Sequence, residues 1–256
     1  MTNTRASLPL IAETVLQKAA LDQGFDIELG ERDGWLHFES TQTPVTLALT
    51  ADDTGGWIAA LSSQAVVSEL ERTERHAPLT LPAGATAAFT VPDATALHAL
   101  LRRARMLGRS LPMVPLERFT ERAAALPRTT EAERLVVQRV GQNIFRDALL
   151  EYWNGRCPLT GIDDPALLRA SHIKPWADCT DDAERLDTYN GLLLAPHLDA
   201  AFDAGLISFD DAGQVIVSPR LSDPNRTRLT LDTLPVLALS PKHKIFMAWH
   251  RREVLR

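Results

Sequence analysis

The chain has 256 residues, 45% of them hydrophobic, which is enough for one large domain or two modest ones with a sizeable core. No apolar run approaches the roughly 18 residues of a membrane-spanning helix, and the first nine residues have no long apolar stretch, so we expect neither a membrane partner nor a secretory signal. The two cysteines do not make a secreted disulfide framework, and a cytoplasmic location is expected.

The formal net charge of −6 argues against a nucleic acid partner, because phosphate binding requires lysine and arginine. The charges are unevenly distributed, however. Residues 101–156 contain 11 Lys/Arg against 6 Asp/Glu, residues 221–256 contain 7 against 3, and residues 151–220 contain 5 against 12. An acidic centre with basic flanks fits a metal site that a polyanion approaches, and uneven clustering of surface charges explains it equally well.

The first part of the chain predicts a small α+β domain at residues 1–108. Apolar residues at helical spacing predict a helix over residues 8–23, which Gly24 ends. The later predicted elements are a hairpin at 25–39, strands at 45–50 and 57–61, and helices at 66–75 and 93–107. Asp93 is the expected N-cap of the last helix, and Gly108 is its expected stop. The role of this domain is open, with recognition of DNA or of a partner as one candidate.

Residues 109–129 are expected to form a proline-containing connector with one short helix at 116–125. Thr130 and Glu133 then form a capping box that opens a long helix to about Trp153. The predicted apolar face of this helix consists of Leu135, Val136, Val140, Ile144, Ala148, Leu149 and Tyr152.

From residue 156 onward the pattern changes to short strands and turns. We expect a turn at 157–161, a strand at 167–173, a short helix at 196–204 and a hairpin at 206–217, whereas residues 221–256 give no clear pattern. The loop at 178–187 is acidic and is expected to be simply exposed. The predicted fold class is therefore α+β: a small N-terminal α+β domain (1–108), the connector (109–129), and a long helix followed by a unit of short strands and helices (130–256).

Four polar residues in that last part have the chemistry of a one-metal nuclease site. His172 is a suitable general base, because a neutral imidazole near pH 7 accepts a proton from water. Asn190 has no acid–base chemistry at this pH and suits an orienting role. Asp199 and Asp203 are four residues apart, so a helix would place both carboxylates on one face, as ligands for Mg²⁺ or another hard divalent ion.

The segments around these residues resemble the HNH endonuclease family. Arg156 to Gly161, Ser171 to Trp176, Asn190 and Phe202 to Phe209 occur in the order of the subgroup with a Ser-His-Ile-x-Pro-Trp strand, and the resemblance covers about 145–221. It implies a ββα-metal nuclease fold at 130–256, with the helix ligand nine residues after the Asn and in some members another four later.

These steps reach Asp199 and Asp203, so the resemblance favours them over His197, which is seven residues on and ranks as a weak metal candidate. Ser171 stands where many members of the family have an Asp or His ligand. A hydroxyl is a poorer ligand than a carboxylate, so either the metal rests on the two aspartates with waters, or activity is weak. With only Cys157 and Cys179, a structural zinc site with four cysteines is impossible.

Ordinary structural roles are open for the same residues. His172 fits a buried core histidine, Asp203 a turn hydrogen bond before Gly205, and Cys157 a small core residue. Lys174 is a weak candidate for phosphate contact. The basic residues near 101–109 are weak candidates for tracking a DNA backbone, and a solvated helix face fits them as well: Arg102, Arg103 and Arg105.

The predicted function is metal-dependent hydrolysis of phosphodiester bonds in nucleic acid, with double-stranded DNA as the expected partner. The expected cofactor is a divalent metal ion, Mg²⁺ first, with Mn²⁺, Ni²⁺ and Zn²⁺ as alternatives. A homodimer would be needed to cut both strands at once, and family habit fits restriction or defence. The competing hypotheses are a catalytically silent DNA- or protein-binding module that keeps the fold, and a metal-dependent hydrolase with another substrate.

Overall fold

A computed structural model describes residues 8–52, 54–127 and 129–256. The chain forms two compact units, the first ending at Arg109 and the second running from Ser110 to Arg256. All strand pairs in the described residues are antiparallel, and helices and strands do not alternate regularly, so the predicted α+β class is confirmed. The division into N-terminal domain, connector and nuclease domain stays a prediction, since compactness alone does not establish independent folding.

The first unit is a meandering sheet with three helices. The helices are α1 (Leu10–Asp22), α2 (Gln64–Leu70) and α3 (Ala94–Ser110). The strands are β1 (Ile27–Arg32), β2 (Trp35–Glu39), β3 (Leu47–Ala51), β4 (Trp57–Leu61), β5 (Arg75–His76) and β6 (Ala87–Val91). Their order in the sheet is β1-β2-β3-β4-β6-β5. The β1–β2 hairpin turns at Asp33 and Gly34, both of which have positive φ.

Two expectations for the first unit are wrong. Asp93 does accept the Ala96 N–H as an N-cap, but α3 continues through Gly108 to Ser110. Gly108 is required by packing rather than as a stop, since a Cβ there would lie 2.1 Å from Thr43 Oγ1. The helix predicted at 66–75 ends at Leu70, and β5 and β6 are strands that the pattern did not predict.

The second unit opens with two packed helices, α4 (Met113–Ala124) and α5 (Glu131–Tyr152). The Thr130–Glu133 capping box at the start of α5 is confirmed. The predicted apolar face is wrong at its first turns, because Leu135 and Val136 are 59% and 53% exposed. Val137, Gly141 and Phe145 are buried instead, which turns the core-facing side of α5 toward the strands that follow.

A short hairpin packs against α5, and a helix packs against its first strand. The hairpin strands are β7 (Arg169–His172) and β8 (Gly191–Leu194), joined by a segment that contains the one-turn helix α6 (Asp182–Arg185). Helix α7 (Pro196–Asp203) follows, with Pro196 in its first turn as expected. The predicted Cys157–Gly161 turn is present, closed by the Gly161 N–H donating to the Cys157 carbonyl.

The remainder contains the predicted hairpin and two unpredicted helices. The hairpin is β9 (Ile207–Phe209) with β10 (Val215–Val217), and the helices are α8 (Asp223–Arg228) and α9 (Pro241–Glu253). Pro241 in the first turn and Ser240 as N-cap explain where α9 begins. None of the helices in the described part of the chain is both long and apolar enough to span a membrane.

Candidate active site

Strand β7 separates two neighbouring polar side chains. It pairs with β8 in a register that puts Ser171 opposite Leu192 and His172 opposite Gly191. Successive side chains of a strand point to opposite faces. Ser171 accordingly meets α7, where its hydroxyl donates to Asp203 Oδ1 at 3.3 Å, while the His172 ring stacks on Phe145 of α5, with centroids 3.8 Å apart.

The His172 imidazole is held in one orientation and one tautomer. Its Nε2 lies 2.9 Å from the carbonyl oxygen of Arg185, and the Trp176 ring meets it edge-on. A carbonyl can only accept, so the geometry assigns the hydrogen to Nε2 and leaves Nδ1 with the lone pair. Burial lowers the pKa of His172 to about 4, against a weaker opposing effect of the Arg185 carbonyl. The ring is therefore neutral at pH 7, as a proton acceptor must be.

The loop that supplies this carbonyl is fixed by a buried amide. Asn190, with no exposed surface, accepts the Lys174 N–H at 2.7 Å and donates to the carbonyls of Lys174 and Glu184. None of these hydrogen bonds goes to the imidazole, so they act on His172 through the backbone of the loop. The predicted orienting role of Asn190 stays a prediction, and these contacts are its physical basis.

Charged side chains fix the same loop from within. Lys174 and Glu184 form an ion pair of 2.7 Å whose side chains are 12% and 22% exposed, and the Glu184 carboxylate also accepts the Thr180 N–H. The Arg185 guanidinium donates to the carbonyls of Trp176 and Cys179. The expectation of a simply exposed acidic loop is therefore wrong for Glu184.

The two aspartates of α7 face the same cleft as β7. Asp199 is half-buried and Asp203 lies at the open edge. Desolvation raises the pKa of both carboxyl groups, and the charge of Asp199 raises that of Asp203 further. The cleft has a volume of about 440 Å³ and is lined by Arg169, Ala170, Ser171, His172, Ile173, Pro175, Trp176, Asp199, Asp203, His250 and Val254.

The donor set in the cleft is small. Within residues 8–52, 54–127 and 129–256, no group of three or more His, Cys, Asp and Glu side chains is arranged to hold a metal ion. Asp199, Asp203 and the Ser171 hydroxyl provide oxygen atoms only. Such a set suits a hard cation that keeps several waters, such as Mg²⁺, better than Zn²⁺.

Several residues proposed from the sequence lie elsewhere. His197 is exposed on α7 and does not line the cleft. Lys174 is engaged by Glu184. Three arginines belong to α3 of the first unit, where Arg105 donates to Gln42: Arg102, Arg103 and Arg105. Both cysteines are buried, and Cys157 is a core residue.

The sequence did not reveal the groups that hold the histidine. Phe145 looks like any core residue of α5, and the Arg185 carbonyl belongs to the backbone, which carries no residue-type signal. Arg169 is two residues before Ser171, so strand alternation alone puts it on the cleft side, and its positive charge lowers the pKa of Asp199 slightly. That spacing was the available signal for Arg169.

A comparison with protein families gives a match to the part of the chain that forms much of this cleft. Residues 157–210 match the model of a family described as HNH endonuclease, which is the family that the motif predicted. A domain of this family indicates a nuclease and a nucleic acid partner. The assignment to a subgroup stays a prediction. A search of curated proteins found no match to the chain.

Proposed function

We propose that this protein is a metal-dependent endonuclease that hydrolyses phosphodiester bonds of nucleic acid. The observation that carries the proposal is the His172 imidazole, which is neutral, fixed through Nε2 by the Arg185 carbonyl, and in the same cleft as two aspartates. In this proposal His172 Nδ1 accepts a proton from the attacking water. Because Nε2 is already bonded, the ring cannot turn away during that transfer.

The two aspartates are the proposed metal ligands, with Ser171 as a weak third. Their fit to a divalent cation rests on their shared cleft and on the raised pKa of both carboxyl groups, since a nearby cation would relieve the repulsion between them. A cation held there would supply the positive charge that stabilises the leaving oxygen. Arg169, at the edge of the same cleft, is placed to attract a phosphate.

Asn190 and the Lys174–Glu184 pair are positioning groups in this proposal. They hold the loop whose carbonyl fixes His172, and they do not contact the reacting atoms. Rigid support of this kind matters because small displacements of a catalytic group cost large factors in rate.

Double-stranded DNA is the proposed substrate, and restriction or defence the proposed setting. The support is the basic composition on both sides of the acidic centre of the chain. The described part of the chain contains one such cleft, so cutting both strands at once would require a two-fold dimer.

The test is nicking of supercoiled plasmid by the full chain with Mg²⁺, Mn²⁺, Ni²⁺ or EDTA. We expect metal-dependent nicking that His172→Ala lowers by about 10²- to 10⁴-fold, the usual contribution of a general base. The matched control is His197→Ala, which removes the exposed histidine outside the cleft and should leave nicking within about twofold of wild type.

A catalytically silent binding module is the second candidate, favoured by Ser171 and by the small donor set. Folded wild-type protein that cleaves neither plasmid nor a small phosphodiester with any of these metals would support it. Loss of nicking in His197→Ala and not in His172→Ala would contradict the assigned base.

A further inference from the structure

The C-terminal helix α9 has one side that packs on the core and one that does not. The buried side is formed by His243, Met247 and His250. Roughly opposite, three to four residues apart along the helix, lie Lys242, Ile245, Trp249 and Arg252. We call these four residues the α9 stripe.

The α9 stripe combines cations with exposed apolar surface. Lys242 and Arg252 are exposed, and Ile245 exposes 72% of its surface between them. Trp249 is partly exposed, and its ring lies 5.8 Å from the Lys174 Nζ. Basic side chains interleaved with an aromatic ring are typical of surfaces that follow a nucleic acid backbone.

The two cations of the stripe are available to an anionic partner. In the described part of the chain, Lys242 has no carboxylate within ion-pair distance; its ammonium lies 4.8 Å from the Tyr189 ring centroid, with the carboxylate of Asp187 farther off. Arg252 pairs with the adjacent Glu253 at 2.5 Å, but both side chains are exposed. An exposed pair contributes little and is readily exchanged for a phosphate contact.

The stripe lies beside the candidate active site. The Trp249 ring of the stripe lies 5.8 Å from the Lys174 Nζ, and the two chain neighbours of Lys174, Ile173 and Pro175, line the cleft. The opposite side of α9 lines the cleft directly through His250. A polymer bound along α9 would therefore pass the cleft. The carboxylates of the cleft alone would repel a polyanion, so attraction of the polymer requires a basic surface next to them.

We propose that the α9 stripe binds the sugar–phosphate backbone of the nucleic acid and delivers it to the cleft. Lys242 and Arg252 contact phosphates, while Ile245 and Trp249 pack on the sugars. This inference rests on the proposed function for the chemistry of the cleft, although binding itself does not depend on cleavage.

The test measures DNA binding separately from hydrolysis, in the full chain. A fluorescent duplex of about 25 base pairs is titrated with the His172→Ala protein in Mg²⁺ at several salt concentrations. We expect Lys242→Gln with Arg252→Gln to weaken binding at least about tenfold and to lower the salt slope by about 1.8, or 0.9 for each lost phosphate contact. The matched control, Arg32→Gln with Arg75→Gln, removes the same charge from two exposed positions on β1 and β5, outside both basic flanks, and should change neither the affinity nor the salt slope.

Hydrolysis of bis(4-nitrophenyl) phosphate separates the two proposals, since so small a substrate does not reach the stripe. In the otherwise wild-type protein, the Lys242/Arg252 double variant should keep this activity and lose plasmid nicking. If DNA affinity and salt slope are unchanged in that variant, the proposed role of the α9 stripe is wrong, while the proposed nuclease function is unaffected. No DNA binding by the unsubstituted surface, or binding only to phosphatidylglycerol vesicles, would also overturn it. Lost binding in the variant without hydrolysis in any protein would uphold the stripe and reject the nuclease.

Discussion

At the scale of single residues, His250 shows how burial fixes a protonation state. Its Nε2 donates to the Phe202 carbonyl at 3.2 Å, its Nδ1 lies 3.0 Å from the Ser208 hydroxyl, and its ring stacks on Phe202. Burial lowers the pKa of His250 to about 4, as it does for His172. Both imidazoles are therefore neutral in the folded protein and can be protonated at mild acidity only when the chain unfolds.

This difference predicts how the free energy of unfolding depends on pH. Below pH 6.5 the imidazoles of His172 and His250 bind protons in the unfolded chain but not in the folded one. The free energy of unfolding therefore falls as the pH drops from 6.5 to 4, by up to about 3 kcal/mol for each histidine. Asp187 acts in the opposite sense, because burial raises its pKa to about 6 and its protonation favours the folded state. Between pH 6 and 4 the two histidines each bind a proton on unfolding and Asp187 releases one, so unfolding takes up about one proton in total.

His250→Gln should make the free energy of unfolding nearly independent of pH between pH 6 and 4. The variant keeps only His172, whose proton uptake on unfolding is balanced by the proton that Asp187 releases. The variant should also be less stable at pH 7, since it loses the stacked ring. Denaturant unfolding at a series of pH values measures both effects. His197→Gln, at an exposed position, is the control that should keep the wild-type slope; a wild-type slope in His250→Gln would refute the assignment.

At the scale of elements, the contact between β8 and α5 controls the position of His172. Gly191 lies where a Cβ would come within 2.6 Å of Phe145 Cζ and 2.7 Å of a Leu149 methyl group. Phe145 is also the ring on which His172 stacks. The close approach of strand and helix therefore bears directly on the candidate base.

Gly191→Ala should lower both stability and activity. Overpacking a buried contact costs about 1–3 kcal/mol, and pushing Phe145 aside should reduce nicking on the order of tenfold to a hundredfold. Thermal unfolding and plasmid nicking measure the two effects. Gly155→Ala is the control: Gly155 has a φ of +63° and no atom within 4 Å of an added Cβ, so it should cost about 1 kcal/mol in strain without changing the rate of nicking. Equal losses of activity in both variants would show that the effect is general destabilisation.

Sequence patterns predicted the elements whose signals are local. The capping box at Thr130, the Pro196 helix and the 206–217 hairpin each follow from a few adjacent residues. The failures involve long-range packing. No side chain fits at Gly108 because of Thr43, sixty-five positions away, and the side of α5 that is buried depends on strands more than twenty residues further along the chain.

In the whole molecule, the candidate site likewise combines residues that the motif indicates with supporting groups that only the fold reveals. The ordered motif predicts His172, Asn190, Asp199 and Asp203 as site residues; their roles stay a prediction, and the family match covers the segments that contain them. It was not sufficient to predict the Arg185 carbonyl, the Phe145 ring or the Lys174–Glu184 pair, because backbone groups and internal ion pairs have no spacing rule. These are also the groups that hold the candidate base in place, so they could be recognised only in the folded chain.

Metal binding at the two aspartates should raise the stability of the whole chain. Asp199 and Asp203 raise the energy of the metal-free fold, since each carboxylate is partly desolvated and the two repel each other. A divalent cation that binds only the folded state should stabilise it, by about 2.7 kcal/mol at a hundred times its Kd. For a chain of this size that corresponds to a rise in Tm of several degrees.

Asp203→Asn distinguishes the destabilisation caused by the carboxylate pair from the contribution of the pair to metal binding. In EDTA the variant should be as stable as wild type or more so, with a Tm higher by on the order of 1–2 °C, because Asp203 lies at the exposed edge and the repulsion it relieves is partly screened. With Mg²⁺ it should lose the metal-dependent rise in Tm together with nicking. Asp211→Asn, which removes an exposed carboxylate on the β9–β10 turn, should keep both. A Tm of Asp203→Asn that rises with Mg²⁺ as in wild type would place the metal elsewhere, because a ligand cannot be removed without loss of binding energy.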